Sequence, residues 1–297
     1  MRMTAASVYR DSIAAMERTS QTLLDFQEQV QTGKRINRPS DDPDGLASVI
    51  GEKAEVAAIE QYSRSSDSVT SRLTVLDTAL TDIIDRLTLA QTTIVAAQGS
   101  QKTASEREAA ARTLDGIKAA LLADLNTSFR GAHVFAGAAS IDPPFTISGN
   151  VVSPYLGSTQ EVAVDLDQTH AATIGIDGSV ISRGGAASDI FAVLDTAMAA
   201  ALSGDSAALG QALKDVEDAF DRATLVQTQV GTTLGSMDSL QGALSDRRLA
   251  AKARISKLEE VDLASAITGM TQADAAYRAS LSATSRITQL SLMDYLK

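Results

Sequence analysis

The chain has 297 residues, no Cys and no Trp, 4% aromatic and 44% hydrophobic residues, and a formal charge of −11 with a pI near 4.7. The charge argues against nucleic acid as a partner, since phosphate binding needs a basic face that releases counterions, and the lack of Cys excludes disulfides, thiolate metal sites and Cys nucleophiles. No apolar run approaches the ~20 residues of a membrane span, and the N-terminal stretch carrying Arg10, Asp11, Glu17 and Arg18 lacks the apolar centre of a cleavable signal.

From the N-terminus, Ala6, Tyr9, Ile13, Met16, Ser20, Leu23, Gln27 and Val30 fall at alternating three- and four-residue steps. This spacing predicts a helix over about 6–30 whose stripe is too thin to be secure without a partner helix. Gly33 ends it, and the irregular segment to Gly45 reads as a structured joint. There Asp42 is an N-cap, Pro43 the first helical residue and Asp44 a favourable charge on the helix dipole. Asp41, Asp42 and Asp44 lack the ligand ladder and closing Glu of a calcium loop, so capping rather than cation binding explains them. A second helix is expected from Leu46 to Gln98 with the seam Val69, Leu73, Leu76, Leu80, Ile83, Leu87, Ala90, Ile94 and Ala97, none polar. Ser105 and Glu108 read as a capping box ahead of a third helix to about 128.

Between Gly131 and Ser182 Lys and Arg disappear and β-branched residues alternate with polar ones. Short strands are expected at His133–Phe135, Phe145–Ser148 with Val151–Val152 across Gly149-Asn150, Glu161–Leu166, and Thr173–Ile176 with Val180–Ile181 across Asp177-Gly178. A helix from Ser188 to about Leu202 leads back to the longest stripe, Leu209, Leu213, Val216, Phe220, Ala223, Gln227, Val230, Leu234, Met237, Gln241, Leu244, Arg248, Ala251, Ile255 and Leu258. Its 3.5-residue repeat is that of a coiled coil. With no Pro from Ser206 to Leu296, a single helix of ~130 Å is expected, continuing through Leu263, Ile267, Met270, Tyr277, Leu281, Ile287, Leu290, Met293 and Leu296. Beyond Leu258 the stripe becomes rich in Ala and should bury little per residue.

The reading is thus a mainly α chain, a long coiled-coil rod formed by both ends with a small inserted β domain. It divides into terminal helices (1–42 and 259–297), a helical rod (43–130 and 187–258) and a β-rich surface domain (131–186). No enzyme is expected: His133 and His170 stand without Cys or an H-E-x-x-H arrangement, and there is no G-x-S-x-G, Walker or G-x-G-x-x-G motif. No catalytic residue, cofactor or metal site is predicted. Gly231 and Gly235 would mark a close helix crossing or a bend.

Three stretches carry a resemblance: T-G-K-R-I-N-R-P-S-D-D-P (Thr32–Pro43), N-T-S-F-R-G-A-H-V-F-A-G (Asn126–Gly137) and S-R-I-T-Q-L-S-L-M-D-Y-L (Ser285–Leu296). They resemble the flagellin superfamily, and within it the hook-associated proteins of the hook-filament junction. Flagellins usually carry D-D-A-A-G at the first loop, and Asp42-Pro43-Asp44-Gly45 lies between the two patterns. The resemblance implies a structural, extracellular protein of the bacterial flagellum, exported through the type III apparatus with a cytoplasmic chaperone. It would form a ring or helical layer of copies of itself, with another hook-associated protein on the hook side and flagellin on the filament side. No membrane insertion is implied. In that layer Tyr9, Ile13, Met16, Leu23 and Val30 are expected to pair with Leu281, Ile287, Leu290 and Leu296, while Arg35, Ser40, Asp41, Asp42 and Pro43 set the joint. A filament-forming flagellin is the near alternative, and a coiled-coil scaffold unrelated to motility the distant one.

Overall fold

A computed structural model describes residues 5–295 except 100–101, 150, 161 and 166–170; the side chains of residues 5–8, 165 and 287–295 also lie outside the description. Helices dominate. The order is α1 (Ala5–Thr32), α2 (Pro43–Ala97), α3 (Ala104–Leu125), β1 (Ser128–Phe129), β2 (Ala132–His133), β3 (Ile147–Ser148), β4 (Val151–Val152), β5 (Val162–Asp165), β6 (Ala171–Gly175), α4 (Gly178–Ser182), α5 (Ile190–Ser203), α6 (Ser206–Glu259) and α7 (Leu263–Tyr295). The chain forms two compact units, residues 1–60 with 246–297, and residues 61–245.

The 61–245 unit holds a continuous apolar core. All nine predicted seam residues of α2, Val69 to Ala97, are buried, and they meet Leu114, Ile117, Leu121 and Leu125 of α3, Leu194 and Ala197 of α5, and Leu209, Val216, Ala223 and Val230 of α6. Two of the three polar residues in the α6 stripe are also used, whereas the third, Arg248, is exposed. Gln227 Nε2 donates to Thr81 Oγ1 at 2.9 Å and Gln241 Nε2 to Asp67 Oδ1 at 2.8 Å, so both bridge back to α2 while keeping the seam in register. Gly231 and Gly235 mark no close crossing with the described residues of the chain, since a Cβ at either would meet nothing within 4 Å, and α6 continues through both.

Three two-stranded antiparallel sheets, β1-β2, β3-β4 and β5-β6, sit in this unit. The hairpin across Gly149-Asn150 is as expected, with Ile147 opposite Val152, although Asn150 itself is outside the described residues. The pairing of 173–176 with 180–181 is not. Asp177 Oδ1 accepts the Ser179 N–H at 2.8 Å and caps the short helix α4, while β6 pairs with β5. An Asp-Gly dipeptide offers a turn or a helix cap with equal ease, and tertiary packing chose the cap. Small as they are, these hairpins are anchored: Arg72 Nε donates to Ile174 O (2.9 Å), Asn126 exchanges two hydrogen bonds with the Phe145 backbone, and the Phe145 ring lies 5.4 Å from that of Phe191. His133 belongs to the β1-β2 hairpin, its Nδ1 2.7 Å from Asn126 O; His170 lies outside the described residues. The capping box of α3 is formed by Thr103 and Glu106, not by Ser105 and Glu108, so the cap lies two residues earlier than expected.

In the other unit, α1 packs on α7 and the single long C-terminal helix does not exist. It ends at Glu259 and restarts at Leu263. The backbone explains this: Arg35 N donates to Glu259 O at 2.6 Å and Val261 N to Gly33 O at 3.1 Å, so groups that would continue the helix are taken by the loop after α1. Asp262 Oδ1 then accepts the Ala264 N–H at 3.0 Å and caps α7. Without Gly or Pro at the break, only the Asp262 cap ahead of Leu263 signals it in the sequence.

Candidate assembly surfaces

The joint is built from two loops rather than one. Gly33, with φ +70°, turns the chain out of α1 into a conformation that a side chain would strain. Ile36 then plugs inward, 3% exposed, and anchors a loop that is otherwise polar. Arg35 Nη2 reaches both Asp42 Oδ2 and Leu258 O, each at 3.1 Å, linking the loop to the start of α2 and the end of α6. Asp42 Oδ1 accepts the Gly45 N–H at 2.8 Å, the predicted cap, and this backbone donor with the Arg35 guanidinium holds its carboxyl below the usual range. Asp41 Oδ2 accepts the Asn37 and Arg38 N–H groups at 3.0 and 2.8 Å, which likewise lowers its pKa and closes the turn on itself. Ser40 is exposed, with its hydroxyl 3.4 Å from Asp41 Oδ1, and Pro43 occupies the first position of α2. Gly45 leaves room for both side chains: a Cβ there would stand 2.4 Å from Asp42 Oδ2 and 2.8 Å from Ile36 Cδ1, so the cap or the plug would have to shift.

Several joint residues escaped the sequence reading. Glu259, 9% exposed, takes Lys34 Nζ at 2.7 Å and Lys53 Nζ at 3.1 Å on one oxygen, and the Lys34 hydrogen bond leads the causes that lower its pKa. It therefore draws the α1 loop and α2 onto the end of α6. Arg254 adds a fork to Glu52 (2.7 Å) and Glu55 (3.1 Å). Their residue types gave no signal, because charges at helix ends are ordinary on a solvated face; Ile36, a lone apolar residue between the polar Arg35 and Asn37, was the legible clue.

The α1/α7 pair is thin. Thr19 Oγ1 lies 3.1 Å from Ser280 Oγ, and a Cβ on Gly269 would come within 2.6 Å of the Phe26 ring, so the helices run antiparallel and touch closely where α7 has no side chain. Yet no side chain from Tyr9 to Thr32 is fully buried, and in α7 only Ala266 and Ala273 are, among the described residues. Of the predicted stripe, Ile13, Met16, Leu23 and Val30 are half-buried and Tyr9 and Leu281 remain 42% and 43% exposed. The side chains of Ile287 and Leu290, and Leu296 altogether, are outside the described residues.

A cleft of about 760 Å³ lies between β4 and α4-α5 and is lined by Asp189 and Asp195. Both carboxylates serve the fold. Asp189 caps α5 through the Phe191 N–H (3.0 Å), with burial raising its pKa, and Asp195 pairs with the buried Lys118 at 2.6 Å. No group of three or more His, Cys, Asp or Glu among the described residues could hold a metal ion, and no described helix is long and apolar enough to cross a membrane.

Comparison with known proteins matches residues 5–140 to the bacterial flagellin N-terminal helical region and residues 213–296 to the flagellin C-terminal helical region. The chain is 26% identical over 320 aligned positions to flagellar hook-associated protein 3 of Escherichia coli, covering all of both chains. It is 24% identical to a flagellin of Bacillus subtilis, over 82% of each. Its fold is similar to the crystal structure of the flagellar junction protein FlgL from Legionella pneumophila, with a TM-score of 0.61 at 11% identity, covering 72% of this chain and 100% of that one.

Proposed function

The chain belongs to the flagellin superfamily, and from that membership we propose that it is the structural subunit joining the hook of a bacterial flagellum to its filament. The observation that carries this reading is the end-to-end match to a hook-associated protein 3, where the flagellin match covers less of either chain. The physics of the terminal helices supports it. A pair that leaves Tyr9, Leu24, Leu263, Ile267 and Leu281 between 42% and 54% exposed gains burial only when other subunits cover it, so order is completed by assembly rather than before it.

In this reading copies stack through a head-to-tail interface into a ring or helical layer. Tyr9, Ile13, Met16, Leu23 and Val30, with Leu281, Ile287, Leu290 and Leu296, form its inner contacts. The joint of Arg35, Ser40, Asp41, Asp42 and Pro43 fixes the turn from the terminal helices (1–42 and 259–297) into the rod (43–130 and 187–258), and the 131–186 segment faces outward. Another hook-associated protein lies on the hook side and flagellin on the filament side. The subunit reaches this place by flagellar export with a cytoplasmic chaperone, and its role is mechanical, not catalytic. Immunogold labelling of an epitope-tagged copy tests the location: a single band at the hook-filament boundary is expected, and label along the filament would favour a filament subunit instead.

A further inference from the structure

The two compact units carry very different charge. The 1–60/246–297 unit has 15 Lys and Arg against 16 Asp and Glu, whereas the 61–245 unit has 11 against 21. Helix α6 contributes an exposed strip to each. In the nearly neutral unit Arg248 and Lys252 stand one turn apart and frame Leu249, which is 71% exposed. Neither cation has an ion-pair partner among the described residues, in contrast to Arg254 on the same helix with its Glu52 and Glu55. In the acidic unit Glu217 and Asp221 stand one turn apart, followed one turn later by Leu225, 61% exposed. They too lack an ion-pair partner among the described residues, and with Asp215 and Asp218 they outnumber the nearby Lys214 and Arg222, the latter with its guanidinium turned to Ile181 O.

Like charges at i and i+4 oppose the helix that carries them. An exposed Leu beside each pair adds apolar surface left in water. Each strip is thus locally unfavourable in a single chain, and each has what the other lacks. We propose that the Arg248-Leu249-Lys252 strip of one copy docks on the Glu217-Asp221-Leu225 strip of a neighbouring copy, leucine against leucine with the opposite charges around them. The two strips are different surfaces, so a head-to-tail contact uses one strip of each copy, leaves the other free and propagates around a layer, whereas an antiparallel two-fold pair would use both strips at once and give a cross-linked dimer rather than a ladder. This inference rests on the reading that copies assemble side by side at the junction.

The test uses the full-length protein in a deletion strain of the source organism. Arg248→Glu/Lys252→Glu and Glu217→Lys/Asp221→Lys should each be exported and retain the helical circular dichroism of the parent, yet lose attached filaments; the fourfold variant, with the charges exchanged, should regain them. Because the chain has no Cys, Leu225→Cys/Leu249→Cys gives a second readout: hooks purified with this variant should show a disulfide-linked ladder of copies under oxidation. Reversals that leave filaments intact, or a fourfold variant no better than its parents, overturn the contact. So does a hook preparation containing the protein but no ladder. Absence of the protein from purified hooks instead overturns the junction reading, and this inference with it.

Discussion

The packing of Phe26 against Gly269 gives a prediction whose sign depends on background. Replacing Gly by Ala inside a helix ordinarily stabilises by about 1 kcal/mol, through lost backbone freedom in the unfolded chain. At Gly269 the added Cβ would stand 2.6 Å from two atoms of the Phe26 ring, well inside contact distance, so α1 must shift or the ring must leave its place. Overpacking of that kind costs about 1–3 kcal/mol, which outweighs the propensity gain and leaves Gly269→Ala destabilising by roughly 1 kcal/mol. In a Phe26→Ala background the obstacle is gone and the same change should stabilise by about 1 kcal/mol. The coupling between the two sites is then on the order of 2 kcal/mol, within the range for residues in contact. With two compact units the chain need not unfold in one step, so the readout is hydrogen exchange of the α1 amides by mass spectrometry rather than a global melt. If Gly269→Ala raises α1 protection equally in both backgrounds, Phe26 does not pack on Gly269.

Gly231→Ala and Gly235→Ala, where a Cβ meets nothing, should each stabilise α6 by about 1 kcal/mol, read as slower hydrogen exchange of its amides, and leave motility unchanged; destabilisation by either would expose a contact within the chain at that face. Leu80→Ala, at a site 0% exposed in the α2 seam, should cost about 2–5 kcal/mol in the unit spanning 61–245 and lower export yield, and a near-neutral result would contradict the packed core. Glu259 has a folded pKa below its unfolded value, so the stability it contributes is present above the ordinary carboxylate pKa of about 4.3 and is lost as pH falls through the lower folded value. Protection factors at Arg35 and Val261, measured against the intrinsic rate at each pH, should therefore fall on acidification in the parent, while in Glu259→Gln they should already be low at neutral pH and change less; parallel profiles would refute the role given to this carboxylate.

The long seams were legible because a repeat of 3.5 residues has few other meanings: each predicted position from Val69 to Ala97 is buried. What escaped was decided by partners distant in sequence. The stop after Glu259 exists because Gly33 and Arg35 occupy its backbone groups, more than two hundred residues earlier in the chain. Asp177-Gly178 has the composition of a hairpin turn and became a cap because β6 had found β5. The joint was half visible: Asp42 and Pro43 announced the cap locally, whereas Glu259, which binds Lys34 and Lys53, is one ordinary helix-end carboxylate among many. The tight point at Phe26 and Gly269 lay off the strict stripe and could be found only in space.

The most direct test of the proposed role is to delete this protein's gene in the source organism, image the hooks by electron microscopy and assay flagellin in the medium. A junction subunit predicts bare hooks with flagellin monomer released outside, because flagellin is made and exported but has no surface to build on. Filaments of normal length on those hooks would contradict the account.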